Sequence, residues 1–257
     1  MPYNRLSTTK IARAVGCHPN TVRLYEQIGF ISTAPRSAKG YRLYTPLHLD
    51  QMRLARLAMQ GEWPGPNIRH SLIALVRKMA EPDLLGALAL AKTHLEVVRN
   101  ERAQADAAVD FLNQWVFGGG LCEDCEALQI GQAAQLLNVT VDVLRNWERN
   151  GLVTTPRDPH NRYRRYYPAQ IGRLRVIRFL RQVGYSPMAI LRMLLQLDQK
   201  VGGDIQSVDD LRRALDTPRP DEDVYTAADH WLSTLTEQEQ RAQEILNQMT
   251  DMAARYA

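Results

Sequence analysis

The 257-residue sequence has little of several things, and each shortage narrows the field. It holds only three cysteines, an odd number that cannot all pair within one chain, so a disulfide framework is not expected. It has no run of some 18 apolar residues to span a bilayer, and its first ten residues, MPYNRLSTTK, lack the apolar core of a secretory leader. The expected location is therefore the cytoplasm, with no membrane partner. Its six histidines form no nucleophile, acid–base or metal cluster, and no glycine loop is built to cradle a phosphate. An enzyme is not expected, and no cofactor is implied.

What is present is charge, unevenly spread. Residues 1–80 carry 12 Lys/Arg against 3 Asp/Glu, a net +9, and residues 81–127 carry 3 against 9, a net −6. Residues 128–200 return to +8 (12 against 4), and residues 201–257 fall to −7 (5 against 12). Basic blocks of this density suit a polyanion, which would repel the acidic ones.

The alternation follows from an internal repeat. At an offset of 122, Leu6 meets Leu128, Ala12 meets Ala134, Arg23 meets Arg145 and Glu26 meets Glu148. Gly29 meets Gly151, Tyr41 and Arg42 meet Tyr163 and Arg164, Tyr44 meets Tyr166, and Pro46 meets Pro168. Such a register points to a duplication. In each copy a short helical pattern (Thr8–Val15; Ile130–Leu137) leads through a brief turn into a second helix. Pro19 in a first turn and Thr140 as a cap mark where that helix begins. Gly29 and Gly151 end it, a Pro-Arg turn and a basic, tyrosine-rich hairpin follow, and a third helical run opens at Pro46 or Pro168. Helix, turn, helix, wing, helix is a small unit suited to reading DNA.

A helix of this kind fits the major groove and reaches base edges with its N-terminal residues. Those are His18, Asn20 and Thr21 in the first copy, and Thr140, Asp142 and Val143 in the second. Arg23 and Arg145, a turn further in, are placed to clamp phosphates, and Arg36, Lys39, Arg157 and Arg162 add charge to the wings. Glu26 and Glu148 read as structural, pairing a wing arginine. Because the helix starts differ, the two copies are expected to prefer unlike half-sites.

The stretches Thr21 to Gly29 and Leu144 to Gly151, each followed by Pro-Arg and a Tyr-Arg-x-Tyr wing, resemble the MerR family of regulators over roughly residues 5–80 and 128–200. The resemblance implies a transcription regulator that binds double-stranded DNA in a sequence-specific way. It also implies that Tyr25, Arg42 and Tyr44 hold the DNA backbone, with Trp147, Arg164 and Tyr166 as their counterparts. It further implies a regulator that twists promoter DNA so that RNA polymerase can use poorly spaced elements. Two features depart from the family pattern: Arg162 stands where the first copy has Gly40, and two readers share one chain.

After each reader comes an acidic helical segment. Apolar residues at Leu84, Leu88, Ala91, Leu95, Val98, Ala105, Val109, Leu112 and Val116 form one seam. Val224, Ala228, Trp231, Leu235, Ala242, Ile245, Met249, Met252 and Tyr256 form another. The expected fold is thus mainly α: two winged helix-turn-helix domains (1–80 and 128–200) joined by long helices (within 81–127 and 201–257) that form an antiparallel coiled-coil arm. Antiparallel packing is favoured because residues 117–127 reach at most about 40 Å, less than a 33-residue helix of about 50 Å. The chain would then act as a single-chain pseudo-dimer, the competing arrangement being a homodimer through residues 84–116.

Cys122 and Cys125 form a lone CxxC. Two thiolates are half a tetrahedral zinc site, and Glu123 and Asp124 raise thiol pKa values rather than lower them. No metal is therefore expected, and metal or redox sensing at this pair stays a competing function. A DNA-bending architectural or excisionase-like role is the other alternative.

Overall fold

A computed structural model describes residues 5–61, 65–117, 126–198, 207–216 and 231–257. It divides into two compact units, Met1–Asn100 with Leu235–Ala257, and Glu101–Thr234. The described helices are α1 (Thr8–Ala14), α2 (Pro19–Gln27), α3 (Pro46–Ala58), α4 (Gly65–Met79), α5 (Leu84–Phe117), α6 (Ile130–Leu136), α7 (Val141–Arg149), α8 (Pro168–Gln182), α9 (Pro187–Asp198), α10 (Val208–Asp216) and α11 (Trp231–Tyr256). Among the described residues β pairing is confined to isolated bridges. No helix among them is long and apolar enough to cross a membrane.

In the first unit, local chemistry sets the ends of α1 and α2. Ser7 caps α1 by accepting from the Lys10 N–H at 3.3 Å. Gly16, at φ +64°, lets the chain reverse while the Cys17 N–H returns to the Ala12 carbonyl at 2.9 Å. His18 caps α2 through Nδ1, which accepts from the Asn20 N–H at 3.2 Å, and Pro19 follows at N1. Gly29 ends α2 at φ +74°, with the Phe30 N–H on the Tyr25 carbonyl at 2.8 Å.

One apolar core gathers Ile11 of α1, Val22 of α2, Ile31, Tyr44, Met52 and Leu54 of α3, Leu72 and Leu75 of α4, Ala87 and Ala91 of α5, and Ile245, Met249 and Met252 of α11. Each large side chain buried there contributes about 1.5–3 kcal/mol relative to exposure. Arg99 Nε of α5 donates to Glu239 of α11 at 3.0 Å. At the end of α11, Arg255 Nη1 (3.1 Å) and the Tyr256 hydroxyl (2.9 Å) both donate to Asp50 of α3, which also accepts from Arg53.

The second unit repeats the plan. Thr140 caps α7 by accepting from the Val143 N–H at 3.3 Å. Asn138 at φ +48° and Gly151 at φ +76° take the places of Gly16 and Gly29. Helices α4 and α9, which the sequence pattern did not separate from the readers, also repeat: Gly65 and Pro187, which open them, are 122 apart. Phe111 of α5 meets Phe179 of α8 edge-on at 5.0 Å. Asp216, the last residue of α10, accepts from the N–H groups of Leu232 and Ser233 at the start of α11, a carboxylate at a helix N-terminus. Of the helix expected from Val224, Trp231–Tyr256 is described, and 217–230 lie outside the described residues.

The wings depart from the constant offset. Arg36 bridges to Arg42, and Arg157 to Arg164. The Leu43 N–H meets the Pro35 carbonyl at 2.8 Å, and the Arg165 N–H meets the Pro156 carbonyl at 2.9 Å. The returning strands are therefore 122 apart but the outgoing strands 121. The second copy has one residue fewer before its wing and one more in the turn.

Candidate nucleic-acid interface

Helices α2 and α7 each stand beside the wing of their own copy, and a carboxylate fixes that relation. Glu26 on α2 accepts from Arg42 Nε at 2.7 Å, from the Tyr44 hydroxyl at 3.1 Å and from the Ala34 N–H at 3.1 Å. Glu148 on α7 accepts from Arg164 Nε at 2.5 Å. The glutamates thus tie each wing to its helix, as the sequence suggested, and Arg42 and Arg164 are only partly exposed.

The aromatic residues sit deeper than expected. Tyr44 and Tyr166 are 0% and 1% exposed. Burial, with Glu26 beside it, pushes the Tyr44 hydroxyl up to about 12, and burial also raises that of Tyr166. Both hold the root of the wing through bridges to Leu6 and Leu128. This differs from the expected contact with the DNA backbone, because no part of either ring is left for it. Tyr25 and Trp147 are likewise buried, Tyr25 edge-on to Phe30 at 5.5 Å.

The surface belongs to other residues. His18, Asn20, Arg23, Arg36 and Lys39 are exposed, as are Thr140, Asp142, Arg145, Arg157 and Arg162, while Thr21 is half-buried. Arg23 Nη1 donates to Asn20 Oδ1 at 2.8 Å, and Arg145 Nη1 to Asp142 Oδ1 at 3.1 Å. Arg36 reaches the Gly40 carbonyl across its wing turn at 3.2 Å. Tyr41 and Tyr163, which the sequence pattern did not mark as surface groups, are 71% and 68% exposed on the wings. The repeat and the alternation of an extended chain carried the signal: residues 41 and 44 are three apart and so face opposite ways.

Arg162 takes the left-handed conformation of Gly40, φ +62° against +81°, so both turns reverse similarly despite their different lengths. Asp158 stabilises the longer turn, accepting from Arg165 Nη2 at 2.9 Å and from the N–H groups of His160 and Asn161. Those bonds, the Arg165 one first, hold its carboxyl below the usual range.

In the second unit, α7 and the wing enclose a cleft of about 510 Å³ lined by Arg145, Arg157, Arg162 and Arg164 with Gln129, Ile130, Asn161 and Tyr163. Four guanidinium groups line it; Arg145 and Arg164 are paired with Asp142 and Glu148, and Arg157 and Arg162 leave the cleft cationic. Cys17 is half-buried, and burial raises its thiol pKa. Cys122 and Cys125 lie outside the described residues. Among the described residues no group of three His, Cys, Asp or Glu side chains could hold a metal ion.

Comparison with known proteins returns to these two segments. Residues 7–44 match a family model described as MerR family regulatory protein, and residues 128–197 match one described as MerR HTH family regulatory protein. The HTH-type transcriptional regulator CueR of Escherichia coli O157:H7 is 34% identical over 55 residues, 21% of this chain and 41% of that one. The mercuric resistance operon regulatory protein of Serratia marcescens is 34% identical over 76 residues, 30% of this chain and 52% of that one. Its counterpart from Pseudomonas fluorescens is 33% identical over 69 residues, 27% and 48% respectively. The chain thus spans about half or less of the length of these relatives. No solved structure matches it. The two matched segments are thus each similar to MerR-type regulatory proteins.

Proposed function

We propose that the chain is a transcription regulator that binds double-stranded DNA in a sequence-specific way and reads two half-sites with its two winged helix-turn-helix domains. The arginine cleft between α7 and its wing carries this reading, because it sets a cationic surface beside a helix suited to the major groove. Arg23, Arg36, Lys39, Arg145, Arg157 and Arg162 take phosphates and fix the register. His18, Asn20, Thr21, Thr140 and Asp142 face base edges. Arg42 and Arg164, tied to their glutamates, set the angle of each wing and offer their free guanidinium edges to the backbone. Tyr44 and Tyr166 support the wings from below.

Helices α5 and α11 form an antiparallel arm, so one chain serves as a pseudo-dimer. The bond between Arg99 and Glu239 and the shared core of α5 and α11 in the first unit support this. Engagement of both readers distorts the intervening DNA, at a cost that depends on its sequence, and RNA polymerase at a promoter responds to that change.

The test is selection of bound duplexes from a random library, followed by affinity against salt. An Arg157→Ala, Arg162→Ala double variant is expected to bind more weakly on every sequence. The slope of log affinity on log salt should fall by about 0.9 for each phosphate that the variant no longer neutralises. Unaltered affinity and slope would refute the cleft as a DNA surface. Enrichment of no sequence would turn the reading toward an architectural DNA bender.

A further inference from the structure

Asn20 and Asp142 occupy the same place in the two readers, the second residue of α2 and of α7. Each is exposed, and each accepts from the arginine three residues on, Arg23 at 2.8 Å and Arg145 at 3.1 Å. The chemistry presented differs. An amide offers an acceptor and two donors, whereas a carboxylate offers acceptors only. The Asp142 side chain is 85% exposed, so it projects from the helix rather than bracing it.

We propose that Asp142 is the specificity-determining residue of the second reader, selecting a cytosine, while Asn20 selects an adenine at the matching base pair of the other half-site. The inference rests on the function proposed above. In the major groove cytosine shows only an amino donor, N4, whereas guanine shows N7 and O6 and thymine shows O4, all acceptors. A carboxylate is satisfied by the first and repelled by the others. Adenine offers N6 as a donor, but its N7 lies beside it and opposes the second carboxylate oxygen.

Arg145 supports the choice: bonded to Asp142 through one Nη, it holds that carboxylate in place while the rest of its guanidinium takes a phosphate. The amide of Asn20 instead matches the N6 and N7 of adenine. The duplicated readers would then recognise an operator with two unlike halves, and the ion pair on α7 leaves that helix less cationic than α2 at its entry.

Library selection with the full chain tests this, comparing the wild type with Asp142→Asn and Asn20→Asp. The wild type should enrich cytosine at one half-site and adenine at the equivalent pair of the other. Asp142→Asn should lose its preference for cytosine by roughly 5- to 150-fold, the range for one good base contact, and move toward adenine. Its salt slope should not fall below that of the wild type, because every phosphate keeps its cation. Asn20→Asp should move the first half-site toward cytosine. The same base at both equivalent positions in the wild type, or an Asp142→Asn variant that binds with its preference intact, would overturn the assignment. Failure of the wild type to bind duplex DNA at all would instead defeat the function on which it rests.

Discussion

His94 on α5 is 1% exposed, and its Nδ1 lies 2.8 Å from the Ser71 hydroxyl on α4. Burial disfavours the imidazolium and lowers its pKa from 6.5 to about 4. In the unfolded chain the ring titrates near 6.5, so as pH falls below that value the unfolded state takes up a proton that the folded state refuses. The first unit should therefore hold its full stability above pH 6.5, lose it as pH falls toward 4, and change no further from this cause below. At pH 5 the linkage amounts to about 2 kcal/mol, and at its limit to about 3 kcal/mol. Urea unfolding of the full chain and of His94→Gln at pH 7.5 and pH 5.0 measures it. The substitution removes the titration and keeps a polar side chain beside Ser71. The wild type should lose about 2 kcal/mol more than the variant between the two pH values. Equal losses would show that His94 accepts its proton in the folded chain, and the argument from burial would fail.

Three further outcomes follow from the same structure. Gly40→Ala should cost about 1 kcal/mol through its left-handed backbone, since beyond its chain neighbours no atom of the described residues lies within 4 Å of the added methyl. A thermal melt reads that loss, and an unchanged midpoint would mean the turn re-forms another way. Glu26→Ala leaves Arg42, the Tyr44 hydroxyl and the Ala34 N–H without their shared acceptor. It should destabilise by about 3 kcal/mol and weaken DNA binding, both measurable on one preparation; a loss below about 1 kcal/mol would demote the wing lock. Asp50→Ala frees the end of α11 from α3, but Arg53 and Arg255 are both more than half exposed and regain water. Its cost is therefore only about 1 kcal/mol, with faster proteolysis near Tyr256 as the sharper readout. Resistance equal to that of the wild type would argue against the clamp.

Much of each reader was legible because its boundaries are set locally. Pro19, Thr140, Gly29 and Gly151 act through their own backbone, so the ends of α2 and α7 could be placed without knowing the fold. The bond from Arg42 to Glu26 was legible for a related reason, since the repeat carries both charges together. What was not legible depends on three-dimensional partners. Nothing in the composition of the wing says that Tyr44 turns inward to Glu26 while Tyr41 turns to solvent; only the pleat and the core behind it decide that. Helices α4 and α9 escaped notice because their apolar residues run on from the third helix of each reader. Their own stripes make sense only once a core exists to receive them. The slip in the wing was visible in the spacing of Pro35 and Pro156, but an otherwise unbroken register hid it.

That slip limits how the two readers can be recombined. From Gly29 to Pro46 and from Gly151 to Pro168 the chain has the same number of residues, although the wing turn within the second span is one residue longer. An insertion at the turn is matched by a deletion on the way out to it, and Tyr44 and Tyr166 arrive at the same bridge. A chimera that swaps the turn alone changes that count by one residue, while the compensating difference stays behind on the way out. Exchange of residues 30–45 for 152–167 as a single cassette moves the wing with its register intact, and so allows each helix to be paired with the other copy's wing.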